Sequence, residues 1–249
     1  MKREKRNLMV VLGVMLAATL MMSSTSQAAD SAPGEGFYAG AFMGHGTGIL
    51  QADVTLEATS SNANAATFET DRGGLGLSGI QGGIWLGWGM KTADDLYFGA
   101  EITGVGSNEK IELSSSVGIN STKNNTAITS ISAQRKWSGA GSVRAGYYVN
   151  SDTLFALSGG VAVSQFDVDI GSASETYYAG GPQIGASLET QLSKIDPNLG
   201  LRMEFAYTNY LTADINGIDG VGGSGGGTGN NSELTGHDTA GRIGITYRF

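Results

Sequence analysis

Residues 238–249 read Asp-Thr-Ala-Gly-Arg-Ile-Gly-Ile-Thr-Tyr-Arg-Phe and alternate without a slip. Arg242, Gly244, Thr246 and Arg248 share one parity, and Ile243, Ile245, Tyr247 and Phe249 share the other. Successive side chains of an extended strand point to opposite faces, so one face is polar and the other wholly apolar. A last strand that is apolar outside and charged inside is what closing a transmembrane β-barrel calls for.

Seven further segments of this kind precede it. Strand-like stretches are expected near Phe37–Leu50, Gly76–Met90, Leu96–Asn108, Ile131–Val149, Thr153–Val168, Thr176–Leu192 and Leu199–Ala213, with Thr239–Phe249 the eighth. An even number suits a bacterial single-chain barrel. The connections alternate in length. Lys91–Asp95, Asn150–Asp152 and Ser193–Asn198 are short and rich in Asp, Asn, Ser and Pro, whereas 52–75, 109–130, 169–175 and 214–238 are expected to be long. Short turns at one end and long loops at the other predict an eight-stranded, all-antiparallel transmembrane barrel, with periplasmic turns and extracellular loops.

Parity assigns the faces. Leu201, Met203, Phe205 and Tyr207 are expected to meet lipid while Arg202, Glu204 and Thr208 point inward. The same reading puts Trp137, Val143, Ala145, Tyr147 and Val149 outside against Lys136, Ser142 and Arg144, and Glu101 and Glu189 inside their strands. The faces of the first strand stay unassigned, since it is apolar on both, and Trp85 reads as inward. Tyr97, Trp137, Tyr147, Tyr148, Tyr207, Tyr210, Tyr247 and Phe249 are candidates for two interfacial aromatic girdles. The bore of eight strands is just wide enough for side chains to fill, which accounts for glycine at 40 positions.

The amino terminus reads as an export signal: Lys2, Arg3, Lys5 and Arg6, an apolar run from Leu8 to Met22, then small residues. Cleavage is expected after Ala28 or Ala29, dividing the chain into a signal peptide at 1–28 and a barrel at 29–249. The apolar run of about 15 residues is short for a spanning helix, which needs roughly 20. Removing residues 1–28 takes the formal charge from −8 to −11, which argues against nucleic acid. There is no cysteine, hence no disulfide frame or thiolate metal site.

The stretches GFYAGAFMGHG from Gly36, Ser142–Phe166, Leu201–Tyr210 and ITYRF at the end resemble the small outer-membrane β-barrel family. That family includes the outer-membrane protein A transmembrane domain and the opacity-type porin-like proteins. The resemblance implies residence in a Gram-negative outer membrane, contact with outer-membrane lipid and lipopolysaccharide, and handling by periplasmic chaperones and the barrel-assembly machinery. It also implies that Tyr247 and Phe249 serve as an assembly signal. Unlike outer-membrane protein A, the chain is not expected to carry a domain beyond the barrel.

The candidate site is the inward charged set: Glu101, Lys136, Arg144, Glu189, Arg202, Glu204, Arg242 and Arg248. Charges in a narrow bore must be paired or hydrated, so this set is either a filled polar core or a narrow water path. A structural role with narrow porin activity is therefore the first expectation. A surface module binding a host or small-molecule ligand through its loops is the second, and a lipid-modifying enzyme a distant third. His45 and His237 are the two histidines, and His237 lies near Ser232, Glu233 and Asp238. No catalytic residue, metal ligand or cofactor is assigned. The acidic residues of the loops, Asp53, Glu69, Asp167 and Asp238 among them, are expected to form a solvated external rim.

Overall fold

The computed structural model describes residues 32–56, 66–69, 75–113, 131–170, 173–214 and 233–249. The expected signal peptide lies outside the described residues, as do most of the loops. Among the described residues ten strands run in chain order: β1 (Gly36–Leu56), β2 (Ala66–Glu69), β3 (Leu75–Lys91), β4 (Leu96–Ser107), β5 (Lys110–Leu113), β6 (Ile131–Asn150), β7 (Thr153–Ile170), β8 (Ala173–Gln191), β9 (Leu199–Asp214) and β10 (Glu233–Arg248).

Eight of them close a ring in the order β1, β3, β4, β6, β7, β8, β9, β10 and back to β1, every pair antiparallel. β2 and β5 are short additions at the outer end, β2 on β1 and β5 between β3 and β6. A walk along paired residues from Tyr38 passes Gly87, Glu101, Ser142, Gly160, Gln183, Thr208 and Asp238 and returns to β1 at Gly48, ten residues higher. That stagger tilts the strands by about 40° for eight strands, and closure leaves no unpaired edge.

The periplasmic turns are built from local polar bonds. Asp152 N–H donates to the Asn150 side chain at 2.9 Å, Asn198 N–H donates to that of Asp196 at 2.8 Å, and Asp95 takes a left-handed conformation at φ 57°. The four outer connections are not all long, however. β7 and β8 pair from Thr153–Thr190 to Ile170–Ala173, so only two residues separate them where 169–175 was expected to be loop. At the start of β8 Ser174, Glu175 and Thr176 are polar on both parities, and alternation therefore does not mark it.

The bore is packed along its length. Next to the short turns, Tyr97, Tyr148, Leu154, Ala156 and Ala32 form an apolar cluster. The chain preceding β1 folds across this mouth, where the Tyr148 hydroxyl donates to Pro33 O at 2.8 Å and Gly34 sits at φ +77° between Tyr97 and Leu154. Midway, Phe42 and Trp85 stack at 4.8 Å beside Tyr38 and Val105. Trp85 fits only because residue 40 is glycine: a Cβ there would lie 2.0 Å from the indole nitrogen. At the outer end Phe166, Ala179 and Tyr210 make a third cluster.

Candidate functional site: a charged and filled bore

Between the first two apolar layers runs a chain of alternating charges. Glu101 enters from β4, Arg144 from β6, Glu189 from β8 and Arg202 from β9, none more than 5% exposed. Glu101 accepts from the Tyr38 hydroxyl at 2.8 Å, from both terminal nitrogens of Arg202 and from Arg144 Nη1 at 3.4 Å. Arg144 also donates to Tyr38 at 2.8 Å and Ser187 at 3.1 Å, and its Nη2 stands 3.7 Å from Glu189. Glu189 accepts from Thr246 at 2.9 Å. From Arg202 the chain continues to Glu204, which accepts from Arg242 Nη1 at 3.0 Å. Three carboxylates and three guanidiniums thus neutralise one another. An unpaired ion buried here would cost several kcal/mol, so the balance is a condition for filling the bore with charge. The guanidiniums also rest on rings, Arg202 over Trp85 at 4.4 Å and Arg242 over Phe42 at 5.0 Å.

A second network closes the outer end. Arg135, from β6, reaches Asp238 of β10 at 2.7 Å and binds Glu109, which lies in the two-residue break between β4 and β5. Arg135 Nε donates to Ser107 at 3.3 Å, and the Tyr210 hydroxyl lies 2.7 Å from Ser164, itself bonded to Ser138. Beyond the end of β4, burial and the neighbouring Asp238 charge push the Glu109 carboxyl up to about 7, against the pull of Arg135.

The structure relocates several sequence assignments. Glu101, Arg144, Glu189, Arg202, Glu204 and Arg242 meet in the first network, while Arg248 lies at the periplasmic mouth and donates to Pro197 O. Lys136 does not face the bore. A bulge between Arg135 and Trp137 shifts the parity of β6 by one residue, so Arg135 turns inward and Lys136 turns out, 3.6 Å from Asp167 on the exterior. Tyr97, Tyr148 and Tyr210 are buried in the bore and are not girdle residues. Asp238, expected on the external rim, is buried against Arg135. His237 and Asp238 consequently point to opposite faces of β10, and Ser232 lies outside the described residues. Tyr38, Glu109 and Arg135 were missed as site residues. Arg135 could have been found only by allowing for a bulge, and Glu109 only by extending the barrel beyond the alternating segment.

The exterior is the inverse of the bore. Met43, Ile80, Ile102, Val143, Val161 and Ile184 are each at least 60% exposed around the ring, while arginine and glutamate fill the middle. So wide an apolar exterior does not suit water, and a bilayer accounts for it. The chain folds as a transmembrane β-barrel. Its aromatic girdles are Trp137 and Tyr178 at the outer level, 6.1 Å apart, and Tyr147–Phe155 and Tyr247–Phe249 at the periplasmic level, 5.7 and 5.4 Å apart.

No protein-family model and no curated protein matches the sequence. Among solved structures, the barrel is similar to Neisserial surface protein A, at 13% identity and TM-score 0.45 over 86% of this chain and 98% of that one. It is also similar to Ail, the attachment invasion locus protein of Yersinia pestis, at 10% identity and TM-score 0.35 over 84% and 99%. A third is the outer-membrane protease OmpT from Escherichia coli, at 10% identity and TM-score 0.48 over 87% and 98%.

Proposed function

We propose that this barrel is a sealed structural component of the outer membrane, with no open pore through it. The observation that carries this reading is the continuous filling of the bore. An apolar layer crossed by the chain before β1, a neutral network of six charged side chains, a Phe42–Trp85 stack and the Arg135 network follow one another along the axis. Each charge is held by at least one partner of opposite sign, so water gains little by entering. Liposomes containing the refolded barrel are expected to swell in small sugars no faster than empty liposomes. Swelling that scales with the amount of protein would overturn the sealed bore and favour a narrow porin.

Display of the outer connections is a second reading, supported by the overhang of the strands. Above the outer girdle, β1 continues from Thr47 to Leu56, and β6, β7 and β8 remain paired as far as Ile131, Ile170 and Ala173. Such a rigid collar supports loops that bind a partner. Exchanging 57–74 and 114–130 for short linkers in a barrel that still assembles would abolish any binding phenotype carried by those loops.

A further inference from the structure

We propose that Glu109, Arg135 and Asp238 form a proton-operated latch, which clamps β5 to the outer mouth of the barrel in acid and releases it in neutral surroundings. The outer connection at 114–130 follows β5 directly, so the latch controls the root of that connection. Only the outermost layer takes part, whether or not the bore below it conducts.

The two charged networks differ in balance. Lower in the bore three carboxylates meet three guanidiniums, but at the outer end Arg135 alone serves both Glu109 and Asp238. All three side chains are closed to solvent, Glu109 at 1%, Arg135 at 2% and Asp238 at 5% exposure. Among the described residues, the elements around them add no second cation: Gly46 of β1, Gln81 of β3, Ser107 of β4, Phe166 of β7, Ala179 of β8 and Tyr210 of β9 face the trio. Lys110, Lys136, Asp167 and His237 lie on the other side of the wall. One negative charge is therefore left over whenever both acids are ionised, and burial makes it costly. A single proton removes it. Asp238 Oδ1 is buried and meets no donor while Glu109 is ionised, and the two side chains are close enough for a protonated Glu109 to supply one. Burial and the Asp238 charge accordingly hold the Glu109 carboxyl up at about 7, against Arg135.

The latch spans a break in the wall. Asn108 and Glu109 separate β4 from β5, which is four residues long, paired with β6 from Lys110–Gln134 to Leu113–Ile131 and with β3 at Ser78 alone. Glu109 O accepts from Arg135 N–H at 2.9 Å and the Glu109 carboxylate binds the guanidinium of the same residue, so one arginine holds the root of β5 twice. Asp238 ties that arginine to β10. The seat is shaped for the carboxyl, since a Cβ at Gly46 would lie 2.0 Å from Glu109 Oε1. A cavity of about 10 Å³ beside Glu109, Arg135, Tyr210 and Asp238 has room for one water, which suits passage of a proton and is too small for a hydrated metal ion. When Glu109 ionises, the stranded charge is relieved by moving its carboxylate out to water, and β5 moves with it. In the released state Glu109 regains the ordinary carboxylate value near 4.5, so clamping is complete below that pH, weakens as pH rises to about 7 and then levels off.

The test follows amide hydrogen exchange of the full barrel, refolded in phosphatidylcholine nanodiscs, at about pH 5 and about pH 8, each rate divided by the intrinsic chemical rate at that pH. Protection of Lys110–Leu113 is expected to fall at least about tenfold between the two, while Leu201–Ala206 in the periplasmic half of β9 keeps its protection. Glu109→Gln leaves one charge against one, and its β5 should stay protected at both pH values. Asp238→Asn should behave in the same way, and it carries the comparison if Glu109→Gln gives no heat-modifiable band. Equal protection of β5 at the two pH values in the wild type would overturn the latch, as would an undiminished fall in either folded variant. Protection restored at the higher pH by calcium chloride would give the carboxylate pair to a metal ion and overturn the shared proton.

Discussion

Glu101 is the residue on which the bore depends most, because two guanidiniums and a tyrosine hydroxyl converge on its carboxylate. Glu101→Ala leaves three guanidiniums with two carboxylates, Arg144 keeping only Glu189 at 3.7 Å and Arg202 sharing Glu204 with Arg242. It is expected to cost about 3–5 kcal/mol, read from urea unfolding of the barrel in lipid vesicles. Replacing Glu101, Arg144, Glu189 and Arg202 together by Leu, Met, Leu and Met leaves only the Glu204–Arg242 pair and should cost less than that single change, because no charge is stranded; a larger loss would refute the pairing argument. Glu109 gives a pH signature. Its carboxyl is raised to about 7 by burial, so the folded barrel binds that proton more tightly than the unfolded chain does. Stability from this group is full below the unfolded carboxylate pKa and falls as pH rises through about 7. The unfolding midpoint should drop between pH 5 and pH 8, and Glu109→Gln should flatten that part of the profile. An unchanged slope in the variant would show that other groups set it.

At the scale of the element, β6 shows both what alternation reveals and what it hides. Outward Val143, Tyr147 and Val149 and inward Ser142 and Arg144 follow directly from parity, which holds without interruption from Trp137 to Tyr148. One extra residue then reverses it, with no glycine or proline at 135–137 to signal the change. The inward charge therefore had to be read as Lys136 when it is Arg135. Aromatics misled for a related reason: Tyr97, Tyr148 and Tyr210 sit near strand ends, where a girdle residue and a bore-filling residue look the same in sequence. The bulge makes a specific prediction. Deleting Lys136 restores simple alternation with Arg135 inward and Trp137 outward, so the shortened chain should assemble with a normal heat-modifiable band. Deleting Arg135 instead forces Lys136 into its place between Glu109 and Asp238 and should lower the unfolding midpoint. Equal behaviour of the two deletions would contradict the assigned bulge.

For the molecule as a whole, closure was legible from the last strand and its seven predecessors, and β10 does pair with β1 from Tyr38–Arg248 upward. The filling of the bore was legible only in part. Its charges could be counted, but their pairing depends on a ten-residue stagger that brings side chains from β4, β6 and β9 to one level, and no single strand encodes that stagger. The central claim is that these paired charges seal the barrel. Its most direct test is a planar-bilayer recording of the refolded wild type beside a Glu101→Ala/Arg144→Ala/Arg202→Ala variant shown to be folded. The account predicts a wild-type trace equal to protein-free membrane and resolvable current steps from the stripped variant. Current steps of the same size from both proteins would contradict it.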